Sequence, residues 1–519
     1  MHPSPKTTSR PQEWSPKNLA LLGIVTALAF LIMGYHPGLE DDAFYLAAIK
    51  RNLNPALFPH DADFFRLQFQ ATIFDKLIAL SVSLSHLPLA WVALLWQLAA
   101  IFFLLHGCWR IARRCFAQPA AQWGAVSMIA ALLTLPVPGI AIMIADQHLH
   151  PRTLATAAIL AAIVAVIDRR PWLAGLLLAF AFSIHAIMAS FGISFCAFLW
   201  WSLRARTPEV RPIPIGAAAL VPLGWIFEPV SNAWRRAAAT RSFYYVARWE
   251  WYEWLGVFAP LVLLYAFAWQ LQRRRIQNEG NLHEDLDEDS ALRPLVMSLL
   301  YYGVFQTVAG LAIMLPPALE RLRPFEPMRY LHLLYALFFL IAGGLIGGYI
   351  LDSKIYRWLL LFLPLAVGML YAQHAMFPAT EHVELPGAKS RNAWLEAFTW
   401  IRQNTPVDAL FALDPHYTTL PGEDYHGFRA LAERSALADY DKDAGMAARV
   451  PRLAPRWLKE VTAENNWEKF QQTDFERIKN EFGVTWIVLS RADAGFSVVC
   501  PPGMNCPYTN SQLRVCQLY

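Results

Sequence analysis

Charge is what this 519-residue chain has least of. Only 16% of its residues are Asp, Glu, Lys or Arg, against about 25% in an average soluble domain. That shortfall, with 56% hydrophobic residues and a mean hydropathy of +0.31, excludes disorder, a coiled coil and a single soluble domain. Net charge is small too. The 44 basic and 40 acidic residues leave +4, too little to point to a nucleic-acid partner. Cysteine is scarce, six in all, which excludes a disulfide framework. No internal repeat is evident. What the chain has in quantity is long apolar runs rich in aromatics, with 20 Trp and 32 Phe. This is the composition of a polytopic α-helical membrane protein.

A helix crossing about 30 Å of hydrocarbon needs roughly 20 apolar residues. The first such run is Asn18 to Tyr35, preceded by Lys6, Arg10 and Lys17. It lacks a small-residue cleavage site, so it reads as a retained span rather than a signal peptide. Further runs lie near 88–108, 121–144, 152–167, 171–186, 187–203, 213–228, 254–271, 294–315, 329–350 and 356–376. The expectation is about 11 transmembrane helices within 18–380. Lys and Arg in short loops orient them. With 1–17 as a cytoplasmic tail, alternate loops carry Arg110/Arg113/Arg114, Arg169/Arg170, Arg204/Arg206/Arg211, Arg273/Arg274/Arg275 and Lys354/Arg357. The C-terminus then lies outside, in the periplasm of a bacterial inner membrane.

Composition changes near 380. Of the 84 charged residues, 33 fall in the 139 positions of 381–519, about 24% and ordinary for a soluble domain. Ala393 to Asn404 predicts an amphipathic helix stopped by Thr405-Pro406. Asp408 to Leu413 predicts a strand, Phe475 to Phe482 a helix and Val484 to Ser490 a buried strand. Alternating helix and strand indicates a small α/β domain. On the outer side, Cys500, Cys506 and Cys516 would meet oxidising conditions, with one disulfide and one remaining thiol. Their pairing is open. The acidic stretch Glu279 to Asp289 reads as a solvated inner loop.

The outer loops collect the polar chemistry. The first, 36–87, opens with Glu40, Asp41 and Asp42 and holds apolar stretches at Phe44–Ile49 and Ile73–Leu84 that predict interfacial helices. Three adjacent carboxylates are costly to desolvate. They raise one another's pKa, which would poise one as a base. A solvated turn explains them equally. The next outer loop is Asp146-Gln147-His148-Leu149-His150-Pro151-Arg152. Asp146 and His148 are a possible ligand pair for a divalent cation, though a solvated polar loop has the same residues.

Arg241, Arg248, Arg321 and Arg329 stand in later outer loops, against the positive-inside tendency. An arginine kept there wants an anion, either a lipid phosphate or a neighbouring carboxylate such as Glu250 or Glu320. Trp251 belongs to an aromatic cluster that suits a membrane belt, or stacking on a sugar. Glu423, Asp424, His426 and Arg429 crowd one turn after Pro421-Gly422. They suit acceptor binding or local ion pairing. The spans are nearly free of ionisable groups, unlike those of ion-coupled transporters.

The stretch Asp41-Asp42-Ala43-Phe44-Tyr45-Leu46-Ala47-Ala48-Ile49-Lys50-Arg51 resembles the acidic start of the first outer loop in the GT-C superfamily of membrane glycosyltransferases. Aminoarabinose transferases and protein mannosyltransferases share that start. Asp146 is placed like the second acidic motif of oligosaccharyltransferase catalytic subunits. Trp400-Ile401-Arg402-Gln403-Asn404-Thr405-Pro406-Val407-Asp408-Ala409 is similar to the entry into the soluble domain of many such proteins. His150-Pro151-Arg152-Thr153, Trp251-Tyr252-Glu253-Trp254 and the Pro421–Arg429 turn also resemble a bacterial membrane family of unassigned substrate.

The resemblance implies a GT-C-like fold and a polyprenyl-phosphate-linked sugar donor. It makes Asp41 the catalytic base, with Glu40 before the pair leaving the register open by one residue. The implied reaction is an inverting transfer to a glycan, lipid or protein acceptor. His148, His150, Arg152, Arg241, Arg248, Arg321 and Arg329 would stabilise the phosphate leaving group, and the Glu423–Arg429 turn with Trp251 would hold the acceptor. The alternative is a non-catalytic lipid-linked glycan transporter or assembly factor of the cell envelope.

Overall fold

A computed structural model describes residues 15–65, 70–204, 228–278, 291–424, 426–491, 493 and 503–519. Helices dominate up to residue 376. In chain order they are α1 (Pro16–Met33), α2 (Asp42–Leu53), α3 (Phe74–Ser85), α4 (Leu89–Cys115), α5 (Pro119–Ala131), α6 (Pro151–Ile167), α7 (Pro171–Ile184), α8 (Ala186–Arg204), α9 (Asn232–Ala239), α10 (Trp251–Asn278), α11 (Leu292–Met314), α12 (Tyr330–Ile346) and α13 (Ile355–Met376). Local chemistry starts several of them. Ser15 caps α1 by accepting from the Asn18 N–H at 3.3 Å, and Pro16 occupies the first helical position. His150 caps α6 in the same way, its Nδ1 accepting from the Arg152 N–H at 2.9 Å.

Among the described residues, seven helices are long and apolar enough to cross a membrane: α1, α4, α8, α10, α11, α12 with its flanking turns, and α13. α6 and α7 are apolar but shorter. Their outer faces carry large apolar side chains such as Ile24, Leu95, Phe103, Val262, Leu360 and Leu363. Such a surface belongs in lipid. The chain is therefore membrane-embedded. The expected count of 11 is not reached among the described residues; 213–227 lies outside them, as do 279–290 and Cys500.

The expected span at 121–144 needs correcting. α5 stops at Ala131, and Pro136–Val137 (β1) pairs antiparallel with Ile142–Met143 (β2). Pro136 and Pro138 cannot continue a helix, and Gly139 turns the chain at φ +74°. Non-helical backbone among membrane helices is tolerated where it lines a cavity, and Pro136, Ile142 and Met143 do so.

The C-terminal unit holds β3 (Leu410–Ala412), β4 (Ser435–Ala436), β5 (Trp486–Ser490), β6 (Met504–Thr509) and β7 (Leu513–Leu518) in one sheet, order β4-β3-β5-β7-β6. β3 pairs parallel with β4 and β5, and β7 pairs antiparallel with β5 and β6. Helices α14 (Ala393–Asn404), α15 (Phe428–Ala432), α16 (Lys442–Arg449), α17 (Ala454–Ala463) and α18 (Gln472–Phe482) pack around it. Asn392 caps α14 through the Trp394 and Leu395 N–H groups, at 2.8 and 3.1 Å. A disulfide joins Cys506 to Cys516.

This unit docks on the turn between α1 and α2. Gly427 N–H donates to the Gly38 carbonyl at 2.8 Å, and Leu39 bridges His426. A Cβ on Gly427 would come within 2.2 Å of the Ala43 Cβ, so only glycine permits this approach. Lys50 pairs with Glu433 at 2.7 Å. The tightest tie is Arg429. It is bonded to Asp61 of the first loop and to both oxygens of Asp443 at 3.0 and 2.9 Å, with both carboxylates fully buried. Removing the cation from a buried cluster leaves uncompensated charge and costs about 3–5 kcal/mol. Arg429→Met is therefore expected to lower the thermal unfolding midpoint in detergent by several degrees; an unchanged midpoint rejects this role.

Candidate functional site

A cavity of about 370 Å³ lies where the C-terminal unit meets the ends of the membrane helices. Four segments build its polar wall: the turn at Glu40–Asp41, the loop Asp146–Arg152, the turns around Glu326 and Arg329, and helix α16. Beside them stand Tyr45, Phe243 and Tyr244.

The acidic triplet separates by geometry. Glu40 takes a left-handed conformation, φ +46°, and the tight turn that results sends neighbouring side chains apart. Asp42 folds back to accept the Gly38 N–H at 2.7 Å and is buried. It closes the turn and does not line the cavity, which corrects its expected catalytic placement. Burial raises its carboxyl above the ordinary range, against the pull of His148 and the Gly38 N–H. Asp41 instead faces the cavity and retains 40% of its side-chain exposure. Burial works to raise its carboxyl too, but Lys442, His150 and Arg449 outweigh this and hold it well below the ordinary range. The expectation that mutual repulsion poises a base in the triplet is thus corrected: cations keep Asp41 ionised.

Lys442 Nζ lies 3.4 Å from Asp41, and His150 Nε2 lies 3.8 Å from it. Burial pushes His150 down to about 4, so the ring is neutral at pH 7. Because its Nδ1 accepts from Arg152, the neutral ring carries its hydrogen on Nε2, towards Asp41.

Asp146 pairs with Arg152. Burial opposes its ionisation, yet Arg152 and the two histidines bring it down to about 2. One nitrogen of Arg152 is spent on this bond. Its Nε and Nη1 are buried without a hydrogen-bond partner, as are both ring nitrogens of His148. Both residues line the cavity. Buried polar groups are normally satisfied, so these are positioned to meet a polar ligand. Glu326 contacts Arg329 and lies 2.7 Å from Arg449, so two guanidinium groups share one carboxylate. The wall as a whole can hold an anion next to an ionised carboxylate.

Of the residues singled out in the sequence, Glu40, Asp41, Asp146, His148, Arg152, Arg241 and Arg329 converge on this cavity. His150 stands directly behind Asp41. Arg241 is occupied by Asp441, bonding its carboxylate at 3.0 Å and its carbonyl at 2.6 Å. Others are elsewhere. Arg248 is exposed and lies over the Tyr245 ring at 4.6 Å. Arg321 pairs with Glu228 at 3.0 Å. Trp251 is 74% exposed at the head of α10.

The acceptor-binding expectation for the Glu423–Arg429 turn is also corrected, because Asp424, His426 and Arg429 are used in docking and Glu423 does not line the cavity. Asp424 accepts from the Ala379 N–H at 3.2 Å and from the Thr380 hydroxyl. His426 lies 3.3 Å from Glu384. Arg429 holds Asp61 and Asp443, and Glu423 is half-buried away from the cavity. For the expected cation, no three His, Cys, Asp or Glu side chains among the described residues gather as ligands. Arg152 bonds one oxygen of Asp146, and the other is buried without a hydrogen-bond partner.

The sequence did not single out Lys442 or Arg449; Glu326 stands out in it only as a carboxylate near the arginines of its loop, and Tyr45 and Tyr244 only as members of their segments. One signal was present. Lys442 and Arg449 are seven apart, two helical turns, and so share a face of α16.

At the docking seam, Glu384 sits between His36 at 2.8 Å and His426 at 3.3 Å. Burial opposes its charge, but the histidines hold it at about 2 against an ordinary 4.5. A lowered carboxyl stabilises the fold above its unfolded value. That contribution is lost as pH falls from 4.5 towards 2. Glu384→Gln is expected to flatten acid unfolding in that window, followed by tryptophan fluorescence; an acid transition identical to the parent's would reject this.

Residues 392–450 match a family described as a domain of unknown function, DUF6798. The matched segment runs from the cap of α14 through α16 and so contains Lys442 and Arg449. No curated protein matches the chain.

Proposed function

We propose that this protein is a membrane glycosyltransferase of GT-C type. It moves a sugar from a polyprenyl-phosphate donor to a glycan, lipid or protein acceptor on the periplasmic side. The observation that carries this reading is a carboxylate, Asp41, facing the same cavity as Arg152, Arg329, Arg449 and His148 beside apolar helices. A sugar joined to a lipid phosphate needs that combination: a base for the acceptor and cations for the departing phosphate.

The acceptor hydroxyl attacks the anomeric carbon, the new C–O bond forms as the bond to phosphate breaks, and configuration inverts. The hydroxyl proton passes to Asp41. A carboxylate of low pKa accepts it late, once the attacking oxygen has gained bond order to carbon and become acidic. The electron pair of the broken bond stays on the phosphate, where Arg152, Arg329 and Arg449 spread its charge.

The sidedness is supported by charge. Arg114 pairs with Asp168 at the end of α6 opposite its cavity end, and Arg169 bonds the Leu203 carbonyl there too. Basic residues so gathered mark a cytoplasmic face. The Cys506–Cys516 disulfide in the C-terminal unit suits an oxidising compartment.

Mass spectrometry of glycolipids and envelope glycans, comparing a deletion strain with an Asp41→Asn strain, tests the reading. Both should lose the same glycan mass, a fall on the order of 100-fold or more. Asp41→Asn cells with the parent glycan profile would reject it. Arg449→Met, which leaves Glu326 its contact with Arg329, should lower product by about 100-fold while the protein stays folded. A product level equal to the parent's removes Arg449 from the phosphate site.

A further inference from the structure

Among the described residues, the nearest fixed positive charge to Asp41 is borne by the C-terminal unit, about 400 positions away in sequence. Lys442 Nζ stands 3.4 Å from the carboxylate and is itself 12% exposed. Among the described residues, the other groups beside Asp41 or on the same wall are Arg449 and Asp441 of the C-terminal unit, His150, Asp146, His148, Arg152, Arg241, Glu326 and Arg329 from the membrane part, and Glu40 and Tyr45, with Asp42 next to it in sequence. His150 is neutral at pH 7, and Arg329 and Arg449 share Glu326.

The backbone that carries Lys442 is held from several directions. Asp439 accepts the Lys442 N–H at 2.5 Å and the Asp443 N–H at 3.2 Å. Arg241 reaches across from the membrane part to clamp Asp441. Gly445 makes room for that clamp, since a Cβ there would lie 2.8 Å from the Arg241 Nη2. Arg429 fixes Asp443. A long flexible lysine is thus mounted on a rigid turn and aimed at one carboxylate.

We infer that Lys442 is a positioning residue: docking of the C-terminal unit sets its ammonium against Asp41 and holds that carboxylate turned into the cavity. The role in transfer rests on the proposed function, but the pairing itself does not. Without Lys442, burial is opposed by weaker partners and Asp41 takes up a proton at higher pH.

The test uses the full-length protein in detergent. A diazoacetamide reagent, which esterifies protonated carboxyls, is applied across pH, and labelling of Asp41 is read by peptide mass spectrometry. Lys442→Met is expected to raise the half-labelling pH by about one unit or more, and Lys442→Arg to restore it. A Met variant that elutes and melts like the parent yet labels identically overturns the inference. A second measurement needs no substitution. A carbodiimide should join Asp41 to Lys442 as an amide in the parent chain, and its absence after exhaustive treatment overturns the inference as well. The two readings fail separately: a shifted labelling profile with an unchanged Asp41→Asn glycan profile rejects only the transferase, and the reverse rejects only the role of Lys442.

Discussion

One buried cation holds the two halves of this protein in register. Arg429 sits between Asp61, from the first long loop, and Asp443, from the helix that lines the cavity. A guanidinium in so dry a place is tolerable only with carboxylates on both sides, and the carboxylates are tolerable only with it. The cluster therefore admits essentially one docked arrangement. Around it the seam is closed by main-chain pairing at Gly38 and Leu39, by Lys50 with Glu433, and by Glu384 between two histidines. The cavity inherits its shape from that seam.

The same constraint accounts for the electrostatics of the wall. Its acids are Glu40, Asp41, Asp146, Glu326 and Asp441, and its bases Arg152, Arg241, Arg329, Lys442 and Arg449. The signs balance, but the hydrogen-bonding capacity does not. Asp146 takes one nitrogen of Arg152 and leaves two unpaired, and Glu326 is divided between two arginines. In a medium of low effective dielectric such unspent donors attract an anion far more strongly than they would in water. Net charge alone would conceal this.

Much of the local structure was legible because short-range chemistry sets it. Helix α14 covers the predicted stretch Ala393 to Asn404 and ends at Thr405-Pro406, and β5 falls within the predicted apolar run. The predicted interfacial helices correspond to parts of α2 and α3. Where composition was read without its breakers, the reading failed. The run at 121–144 is apolar enough to span, but two prolines and a left-handed glycine make it a helix and a hairpin. Sequence has no means of separating Arg152 and Arg329, at the cavity, from Arg248 and Arg321, outside it. A guanidinium reaches only a few ångströms, so its role depends on which carboxylate folding brings near.

By itself the sequence determined that the chain is membrane-embedded, that its character changes near 380, and that an acidic turn follows the first apolar helix. These are properties of composition, periodicity and neighbours along the chain, and hydrophobic burial and backbone capping act on them directly. Tertiary structure alone decided that Glu40 and Asp41 line the cavity while Asp42 does not, and that Lys442 stands against Asp41. It also decided that the Pro421–Arg429 turn locks the halves together. Those outcomes depend on charges hundreds of residues apart meeting within 4 Å, and Coulomb attraction and desolvation have no sequence-local signature.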